Sequence, residues 1–252
     1  MHLKTYSQVP AVVLAAGAGV RLSRPDSEPK CLTPVLGRPL LAWLLDALAG
    51  GGVSTVHLIL GSKADRIERA VASLASPLEV GTTRCPDWIL GNGRSAAHAA
   101  TVVGGSERFL LVMSDHLICA RHVSVVLGAG ASIPGCVLAT APPGAQNLDL
   151  EDATKVVTDS SGRIREIGKG LTRYDAIDTG VFSMTPRLFP ALAQAYTAGD
   201  HSLTGGNRVL AAEGVLFARS IGDVPWQDVD TPEDLVAAER VARCLVSPEG
   251  RS

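Results

Sequence analysis

The sequence has no strong excess of charge of either sign. Its 252 residues carry 23 Lys and Arg against 25 Asp and Glu, a formal net charge of −2. A chain without a strong positive charge has no general field that attracts nucleic acid, so we expect no nucleic-acid partner. Lysine is scarce, with five residues at positions 4, 30, 63, 155 and 169. A lysine beside a glycine-rich segment is therefore a candidate functional residue.

Cysteine is sparse and scattered. The five cysteines are odd in number, and no two of them have Cys-x-x-Cys spacing. Neither a disulfide framework nor a cysteine-based zinc site is indicated, and a reducing, cytoplasmic location is expected.

Long apolar runs are also lacking. No stretch approaches the roughly 20 apolar residues of a membrane helix, so no membrane insertion is expected. The apolar stretch 9–20 is interrupted by Pro10, Gly17 and Gly19 and followed by Arg21, which disfavours a secretory signal peptide.

Strand and helix patterns alternate along the first part of the chain. Short apolar segments predict buried strands at 11–14, 53–60, 78–82, 108–113 and 135–140. Composition and periodicity predict helices at 38–49, 63–76 and 95–103. This order predicts an α/β domain with a mostly parallel mixed sheet.

Beyond about position 142 the pattern changes. Ser160-Ser161-Gly162 separates two strand-like segments, 154–159 and 163–168, and predicts a hairpin. Further strands are predicted at 176–184 and 215–220, and helices at 186–198 and 231–246. We expect one domain over 1–246, with a hairpin-bearing insertion at about 142–177, and a tail or linker stub at 247–252.

A glycine-rich loop follows the first predicted strand, in the run Leu14-Ala15-Ala16-Gly17-Ala18-Gly19. Glycines there let backbone N–H groups approach phosphate oxygens closely. Arg21 and Lys30 supply the positive charge that a triphosphate needs. A dinucleotide-binding fingerprint would need a third glycine where Leu22 stands, and the Gly-Lys-Ser/Thr of a Walker A loop is absent. The motif predicts a loop that binds a nucleoside triphosphate.

Two acidic segments predict a magnesium site. Asp115 follows the strand at 108–113, and the carboxyl ends of parallel strands are where α/β sheets bind ligands. A carboxylate there can hold Mg²⁺ between phosphates. Asp228 and Asp230 alternate along an extended segment and point the same way, so either one could complete the site. Glu233 and Asp234 are predicted to favour the start of the last helix instead.

The run LAAGAGVRL followed by PKCL resembles the signature of the nucleotidyltransferases that activate sugar phosphates. The resemblance implies a Rossmann-like, three-layer fold of the GT-A type. It implies that the loop holds the triphosphate, that Arg21 and Lys30 neutralise it, and that Lys30 also helps to bind the acceptor phosphate. It assigns Asp115 as a metal ligand, and DVDTPEDL at 228–235 resembles the closing run of this family. Ser114 departs from the glycine that is usual before the aspartate.

A third segment falls where members of this family recognise the base. It is Gly91-Asn92-Gly93-Arg94-Ser95, at the start of a predicted helix. The resemblance implies nucleotide-binding roles for Gly91, Asn92, Gly93 and Ser95. Asn92 and the adjacent backbone could read an exocyclic amine and a carbonyl.

Two downstream segments indicate which subfamily the chain resembles. GRIREIGKGL at 162–171 and YDAIDTGVF at 174–182 resemble the acceptor side of CTP:inositol-1-phosphate cytidylyltransferases. The resemblance implies that Asp178, with Thr179, binds acceptor hydroxyls and that Lys155 and Lys169 meet the acceptor phosphate. For His116, contact with the acceptor and a bond to a loop carbonyl both stay open.

These observations predict a Mg²⁺-dependent enzyme that transfers CMP from CTP to a small polyol phosphate such as inositol 1-phosphate, releasing pyrophosphate. One alternative is transfer to a small hydroxyalkylphosphonate such as 2-hydroxyethylphosphonate. Another is uridylyl or thymidylyl transfer to a hexose 1-phosphate. A non-catalytic relative is disfavoured because Arg21, Lys30 and the acidic residues are all present. A homodimer, or fusion to a second enzyme domain, is compatible with this prediction.

Overall fold

The structure is a computed structural model that describes residues 9–19, 22, 28–144 and 150–246. The described strands are β1 (Ala11–Ala15), β2 (Pro34–Val35), β3 (Arg38–Pro39), β4 (Thr55–Leu60), β5 (Glu79–Arg84), β6 (Phe109–Met113), β7 (His116–Leu117), β8 (Cys136–Ala141), β9 (Lys155–Thr158), β10 (Ile164–Gly168), β11 (Ala176–Met184), β12 (Leu216–Ser220) and β13 (Gln227–Asp228). The α-helices are α1 (Leu40–Gly50), α2 (Ala64–Ser73), α3 (Asn92–His98), α4 (Ala120–Gly130), α5 (Leu188–Thr197), α6 (Leu203–Ala212) and α7 (Pro232–Val246). Short 3-10 turns are formed by Lys30–Leu32, Trp88–Leu90 and Ala99–Thr101.

Nine of the described strands form one mixed sheet. Its main order is β10-β9-β11-β6-β1-β4-β5, and β8 joins β11 to β12. β6, β1, β4 and β5 run parallel, whereas β11 is antiparallel to both β6 and β8. The predicted α/β class with a mostly parallel mixed sheet is confirmed.

The sheet is covered on both faces, because successive side chains of a strand point to opposite sides. Along β1, Val13 packs into one apolar core with Leu44 of α1 and Val126 of α4. Val12 packs into a second core with Ala96 of α3 and Leu210 of α6. The two cores give the three layers of helix, sheet and helix. Among the described helices, none has both the length and the apolar composition needed to cross a bilayer.

The predicted hairpin is present, but it is an extension of the main sheet. β9 pairs antiparallel with β11 on one side and with β10 on the other. The side chain of Asp159 shapes the turn, since its Oδ1 accepts hydrogen bonds from the N–H groups of Ser161 (2.8 Å) and Arg163 (3.1 Å). Gly162 completes the turn with a φ of +78°. Positions 145–149 of the expected insertion, and the expected tail at 247–252, lie outside the described residues.

The last helix begins where the sequence predicts. Thr231 Oγ1 accepts a hydrogen bond from Asp234 N (3.2 Å). Asp234 Oδ2 accepts in return from the N–H groups of Thr231 (2.8 Å) and Asp230 (3.0 Å). These reciprocal bonds cap α7 and fix the chain immediately before it. The prediction that Asp234 favours the helix start is confirmed.

Two helices, α4 and α6, were not predicted. In α6, Gly205 and Gly206 have low helix propensity, and packing selects the helix instead. A Cβ on Gly206 would lie 2.6 Å from Leu192 Cδ2 of α5. The two helices can therefore pack this closely only because position 206 has no side chain.

Candidate active site

The glycine-rich loop after β1 lines a cavity of about 290 Å³. Its wall includes Leu14, Ala15, Ala16, Gly17 and Gly19 from the predicted loop, together with Asn92 and Ser95 from the start of α3. Gly19 has a φ of +63°, and a Cβ there would lie 2.8 Å from Lys30 Cβ. Glycine at this position therefore lets the loop lie directly against Lys30. Arg21 lies outside the described residues.

The start of α3 is anchored to the segment before α6. Asn92 Oδ1 accepts a hydrogen bond from Leu203 N (2.8 Å), and Gly93 N donates to the carbonyl oxygen of His201 (3.0 Å). The side-chain oxygen of Asn92 thus accepts one backbone hydrogen bond, which fixes the orientation of its amide group at the cavity wall. Ala18, Gly91 and Gly93, which were predicted to bind the nucleotide, are not among the residues that line this cavity. Glycine is needed at 91 and 93, where a Cβ would lie 2.6 Å from the His201 carbonyl oxygen.

Trp88 also lines this cavity and was not singled out from the sequence. Its side chain packs under Gly61, where a Cβ would lie 2.4 Å from Trp88 Cγ. An indole beside the Asn92 segment offers a flat apolar surface of the kind on which a nucleobase can stack. The one feature of the sequence that could have pointed to Trp88 is its position three residues before Gly91.

Lys30 lies at the centre of a cluster of carboxylates. Its Nζ is 2.8 Å from Asp115 Oδ2, 3.9 Å from Asp228 Oδ1, and also in contact with Asp230 Oδ1. Only 10% of the lysine side chain is exposed. The pairing of β13 with β7 sets Asp228 opposite His116, and Val229 N donates to the carbonyl oxygen of Asp115 (3.0 Å). The pairing of β13 with β7 and the Val229–Asp115 hydrogen bond hold the segment that carries Asp228 and Asp230 close to Asp115, just beyond the end of β6.

The charged groups of this cluster shift one another's pKa values. Burial disfavours the ammonium of Lys30, but the three carboxylates outweigh burial and raise its pKa. Although burial opposes ionisation of Asp115, Lys30 and His116 hold the pKa of its carboxyl well below the usual range. Burial and the neighbouring carboxylates raise the pKa of Asp228 to about 7. The cluster thus favours Lys30 as an ammonium and Asp115 as a carboxylate, whereas Asp228 is more easily protonated than an ordinary aspartate.

His116 is held in a fixed orientation beside this cluster. Its Nδ1 lies 2.8 Å from Asp115 Oδ1, and its ring stacks on Trp226 with centroids 5.8 Å apart and planes 6° apart. Burial lowers the pKa of His116, but the carboxylates of Asp228 and Asp115 outweigh burial and raise it to about 9. A charged imidazolium donates its Nδ1–H to Asp115. The side chain therefore binds a carboxylate, rather than a loop carbonyl, through Nδ1.

The donor set of this cluster fits a divalent cation. Ligand atoms of Asp115, His116 and Asp228 all lie within 4.8 Å of one another. Asp228 Oδ1 is buried and accepts no hydrogen bond from the described part of the chain. Carboxylate oxygens are the ligands that Mg²⁺ prefers, and His116 Nδ1 is already bonded to Asp115 Oδ1. Asp115 and Asp228 are the two carboxylates of this group, so they are the pair that fits Mg²⁺.

A second cavity of about 820 Å³ meets the first at this cluster. The two cavities share four wall residues, namely Asn92, Met113, Asp115 and Asp230. The wall of the second also contains His116, Lys169 and Asp178. Asp178 Oδ1 accepts a hydrogen bond from Gly180 N (2.7 Å), and burial raises the pKa of this carboxyl to about 6. The ammonium of Lys169 is paired with Asp152.

Two residues expected at the acceptor lie elsewhere. Thr179 is fully buried, and its Oγ1 donates to the carbonyl oxygen of Ala139 (2.9 Å). Side chains alternate along β11, so Thr179 points away from the face that carries Asp178. Lys155 lies outside the wall of the cavity, where its Nζ donates to the carbonyl oxygen of Lys169 (2.7 Å) and sits 5.7 Å from the ring centroid of Tyr174. Its position supports the backbone that carries Lys169.

Comparison with known proteins gives matches over nearly the whole chain. A family model described as a MobA-like NTP transferase domain matches residues 11–215. The chain is 33% identical over 235 residues to a bifunctional IPC transferase and DIPP synthase from Rubrobacter xylanophilus, a match that covers 92% of this chain and 52% of that protein. It is 31% identical over 245 residues to a CMP-5'-(3-aminopropyl)phosphonate synthase from Streptomyces rubellomurinus, with coverage of 90% and 37%.

The fold is shared with a solved structure of similar size. An inositol-1-phosphate CTP transferase from T. maritima matches with a TM-score of 0.83 and 26% sequence identity, covering 97% of this chain and 99% of that one. By contrast, the chain spans about half the length of the curated bifunctional relatives that it matches.

Proposed function

Because the chain belongs to the MobA-like NTP transferase domain family, we propose that it is a cytidylyltransferase. In this proposal it transfers CMP from CTP to the phosphate of a small polyol of the inositol 1-phosphate type. The relatives named for IPC transfer, and the inositol-1-phosphate CTP transferase of the same fold, support CTP and this acceptor.

The observation that carries the proposal is the meeting of two cavities at Asp115 and Asp230, the carboxylates that contact Lys30. One cavity has the glycine-rich loop in its wall and the other has Asp178 and Lys169. A triphosphate on the loop would place its α-phosphorus toward the shared wall, and an acceptor phosphate in the second cavity would approach from the other side. The reaction needs that arrangement, with the nucleophile and the leaving group on opposite sides of the α-phosphorus.

The transfer needs little acid–base chemistry. An oxygen of the acceptor phosphate attacks the α-phosphorus and forms a new P–O bond, while the bond from that phosphorus to the bridging oxygen breaks and pyrophosphate leaves. The acceptor oxygen is already an anion, so no general base is required. Lys30 then has the role of stabilising the extra negative charge that develops on the α-phosphoryl oxygens.

The other residues position the reactants. Backbone N–H groups of the loop at Gly17 and Gly19 would hold the triphosphate. Asp115 and Asp228 would hold Mg²⁺, whose charge offsets the repulsion between the two phosphates. His116 would keep Asp115 in place through its Nδ1–H.

A second candidate function is transfer to a small phosphonate. The relative named for CMP-5'-(3-aminopropyl)phosphonate synthesis is 31% identical over 90% of the chain. The second cavity has many carboxylates in its wall, which suits a cationic or hydroxyl-bearing tail on a compact acceptor. The phosphate and the phosphonate share the attacking oxyanion, so the same mechanism serves both.

A pyrophosphate-release screen tests the proposal. CTP, UTP, dTTP and ATP are each combined with inositol 1-phosphate, 2-hydroxyethylphosphonate, 3-aminopropylphosphonate and glucose 1-phosphate. We expect release only with CTP, and with inositol 1-phosphate as the best acceptor. Preference for a phosphonate would select the second candidate, whereas release only with UTP or dTTP and glucose 1-phosphate would overturn both.

A further inference from the structure

A second group of metal-ligating side chains lies outside the cluster around Lys30. Ligand atoms of Cys85, Asp87 and His98 all lie within 4.8 Å of one another. None of the three residues lines the wall of either cavity, so the proposed transfer does not use them. The spacing of the cysteines does not reveal this group, because it contains one cysteine and takes its other two ligands from different residue types.

The three side chains come from three different elements. Cys85 directly follows β5, and its N–H donates to the carbonyl oxygen of Leu60 (2.7 Å), which fixes its backbone to the sheet. Asp87 immediately precedes the 3-10 turn Trp88–Leu90, and His98 is the last residue of α3. The group therefore lies where the end of a strand, a tight turn and the end of a helix meet.

The carboxylate of Asp87 is oriented by a neighbouring arginine. Arg94 Nε donates to Asp87 Oδ2 (2.6 Å), and the same guanidinium lies over the ring of Tyr196, with its carbon 4.9 Å from the ring centroid. The other oxygen, Asp87 Oδ1, accepts from Cys85 Sγ at 3.3 Å. One oxygen is thus held by Arg94 while the other faces the thiol, as expected when an outer partner orients a metal ligand.

The geometry and the donor types fit zinc. With Zn–S of about 2.3 Å and Zn–N or Zn–O of about 2.0–2.2 Å, the ligand atoms of a tetrahedral site are roughly 3.3–3.6 Å apart. The Sγ–Oδ1 distance of 3.3 Å already has this value, and His98 needs a small side-chain adjustment. A thiolate and an imidazole select zinc over Mg²⁺, which prefers oxygen ligands. Cys85 is buried, but Asp87 and His98 are partly exposed, so an ion can enter from their side.

We propose that Cys85, Asp87 and His98 form a structural site for one zinc ion. The ion bonds to Cys85 Sγ, to Asp87 Oδ1 and to a ring nitrogen of His98, with water as the fourth ligand, and the thiol proton is released to solvent. Bound zinc joins the end of β5 to the end of α3 and thereby fixes the turn that carries Trp88. The site is separate from the proposed Mg²⁺ pair and takes no part in the transfer.

Titration of the full chain with CoCl₂ tests the proposal without nucleotide or acceptor. The protein is first dialysed against EDTA, and excess MgCl₂ is then added to occupy the oxygen-ligand site. We expect one equivalent of Co²⁺ to bind with a thiolate-to-cobalt charge-transfer absorption in the near ultraviolet, and Zn²⁺ to displace it. Cys85→Ser should lose this absorption, and His98→Gln should weaken Co²⁺ binding by about tenfold or more. Cys244→Ser, which replaces an exposed cysteine of α7, is the control and should match the wild type.

Melting temperatures with and without ZnCl₂ show whether the ion stabilises the fold. Zinc should raise the melting temperature of the wild type and of Cys244→Ser, but not that of Cys85→Ser, because an ion that binds the folded state stabilises it. A wild-type protein without the charge-transfer absorption would overturn the proposal. Absorption that persists in Cys85→Ser would place the thiolate at another cysteine, and unchanged Co²⁺ affinity in His98→Gln would remove the histidine; either result would overturn the site as well.

Discussion

Lys30 and Asp115 are 85 residues apart in the sequence, yet the Nζ of the lysine lies 2.8 Å from Oδ2 of the aspartate. Lys30 comes from a 3-10 turn and Asp115 from the end of β6. Both residues line the cavity that also has the glycine-rich loop in its wall, and Asp115 lines the second cavity as well. Their ion pair therefore stands between the proposed triphosphate and the proposed acceptor.

The first prediction concerns this lysine. Lys30→Met should lower kcat by about 100-fold or more, because one preorganised electrostatic contact to a transition state contributes roughly 3–4 kcal/mol. The measurement is pyrophosphate release with CTP and the best acceptor of the screen. Arg69→Met, which removes an exposed cation of α2, is the control and should retain wild-type turnover. Turnover near the wild-type value in Lys30→Met would exclude the proposed role of the ammonium.

The sequence alone predicted the parts of the site that follow from local pattern and sheet topology. The loop at 14–19 comes after a wholly apolar strand, and Asp115 comes at the end of a parallel neighbour of that strand, so both face the same edge of the sheet. The alternation of Asp228 and Asp230 likewise predicted that both side chains point one way, and both lie near Lys30. The family match confirms the resemblance seen in these segments.

The sequence could not supply contacts that depend on tertiary packing. The helix α6 contains Gly205-Gly206, which disfavours a helix on its own, and close contact with α5 decides its conformation. Thr179 was grouped with Asp178 because they are adjacent in a motif, although alternation along a strand places neighbouring side chains on opposite faces. Lys155 was expected at the acceptor, and only the fold reveals that the Lys169 carbonyl lies within its reach.

The second prediction distinguishes Asp228 from Asp230, which the sequence left undecided. Asp228 Oδ1 is buried and accepts no hydrogen bond from the described residues, whereas Asp230 contacts Lys30. Asp228→Asn should therefore raise the Mg²⁺ concentration for half-maximal turnover by about tenfold or more, since one anionic ligand becomes a weaker neutral one. Asp230→Asn should change that concentration much less and act mainly on kcat through Lys30.

Titration of pyrophosphate release with MgCl₂ after treatment with EDTA makes this comparison. The wild-type protein should lose turnover after the chelator and regain it with Mg²⁺. A larger Mg²⁺ effect in Asp230→Asn than in Asp228→Asn would reverse the assignment of the ligand. Full turnover of the chelated wild type would remove Mg²⁺ from the proposal.

The third prediction concerns stability and pH at Asp178. Its pKa is raised by burial from the ordinary 3.8 to about 6, so the folded state holds this proton in a range where the unfolded chain has released it. Stability therefore falls as the pH rises from about 4 to about 6. Asp178→Asn cannot ionise, and its amide oxygen can still accept from Gly180 N. The variant should be more stable than the wild type at pH 7.5, by about 1–3 kcal/mol.

Urea unfolding from pH 4 to pH 8 measures this difference. The gain in the free energy of unfolding should be near zero at pH 4 and reach its full value above about pH 6. The same variant should have a raised KM for the acceptor, because it loses the anionic hydrogen-bond acceptor in the cavity. A gain in stability that is independent of pH would show that the ionisation of Asp178 is not its cause.

The fourth prediction uses two glycines with nearly the same positive φ angle. Gly180 has a φ of +72° and Gly222 a φ of +71°, so alanine introduces similar backbone strain at either position, roughly 1–2 kcal/mol. Their surroundings differ: a Cβ on Gly180 would lie 2.8 Å from Cδ2 of His116, whereas a Cβ on Gly222 has no heavy atom within 4 Å among the described residues. Only Gly180→Ala must therefore displace the imidazole that holds Asp115.

Backbone strain should lower the stability of both variants by a similar amount. Gly180→Ala should lose further stability because its Cβ collides with the His116 ring. Turnover separates them further. A shift of His116 releases its Nδ1 bond to Asp115, so kcat of Gly180→Ala should fall by about tenfold or more, the range found when a partner that orients a metal ligand is lost. Gly222→Ala should keep wild-type kcat. Equal turnover in the two variants, measured on folded protein at 25 °C, would show that the orientation of His116 is not required for the transfer.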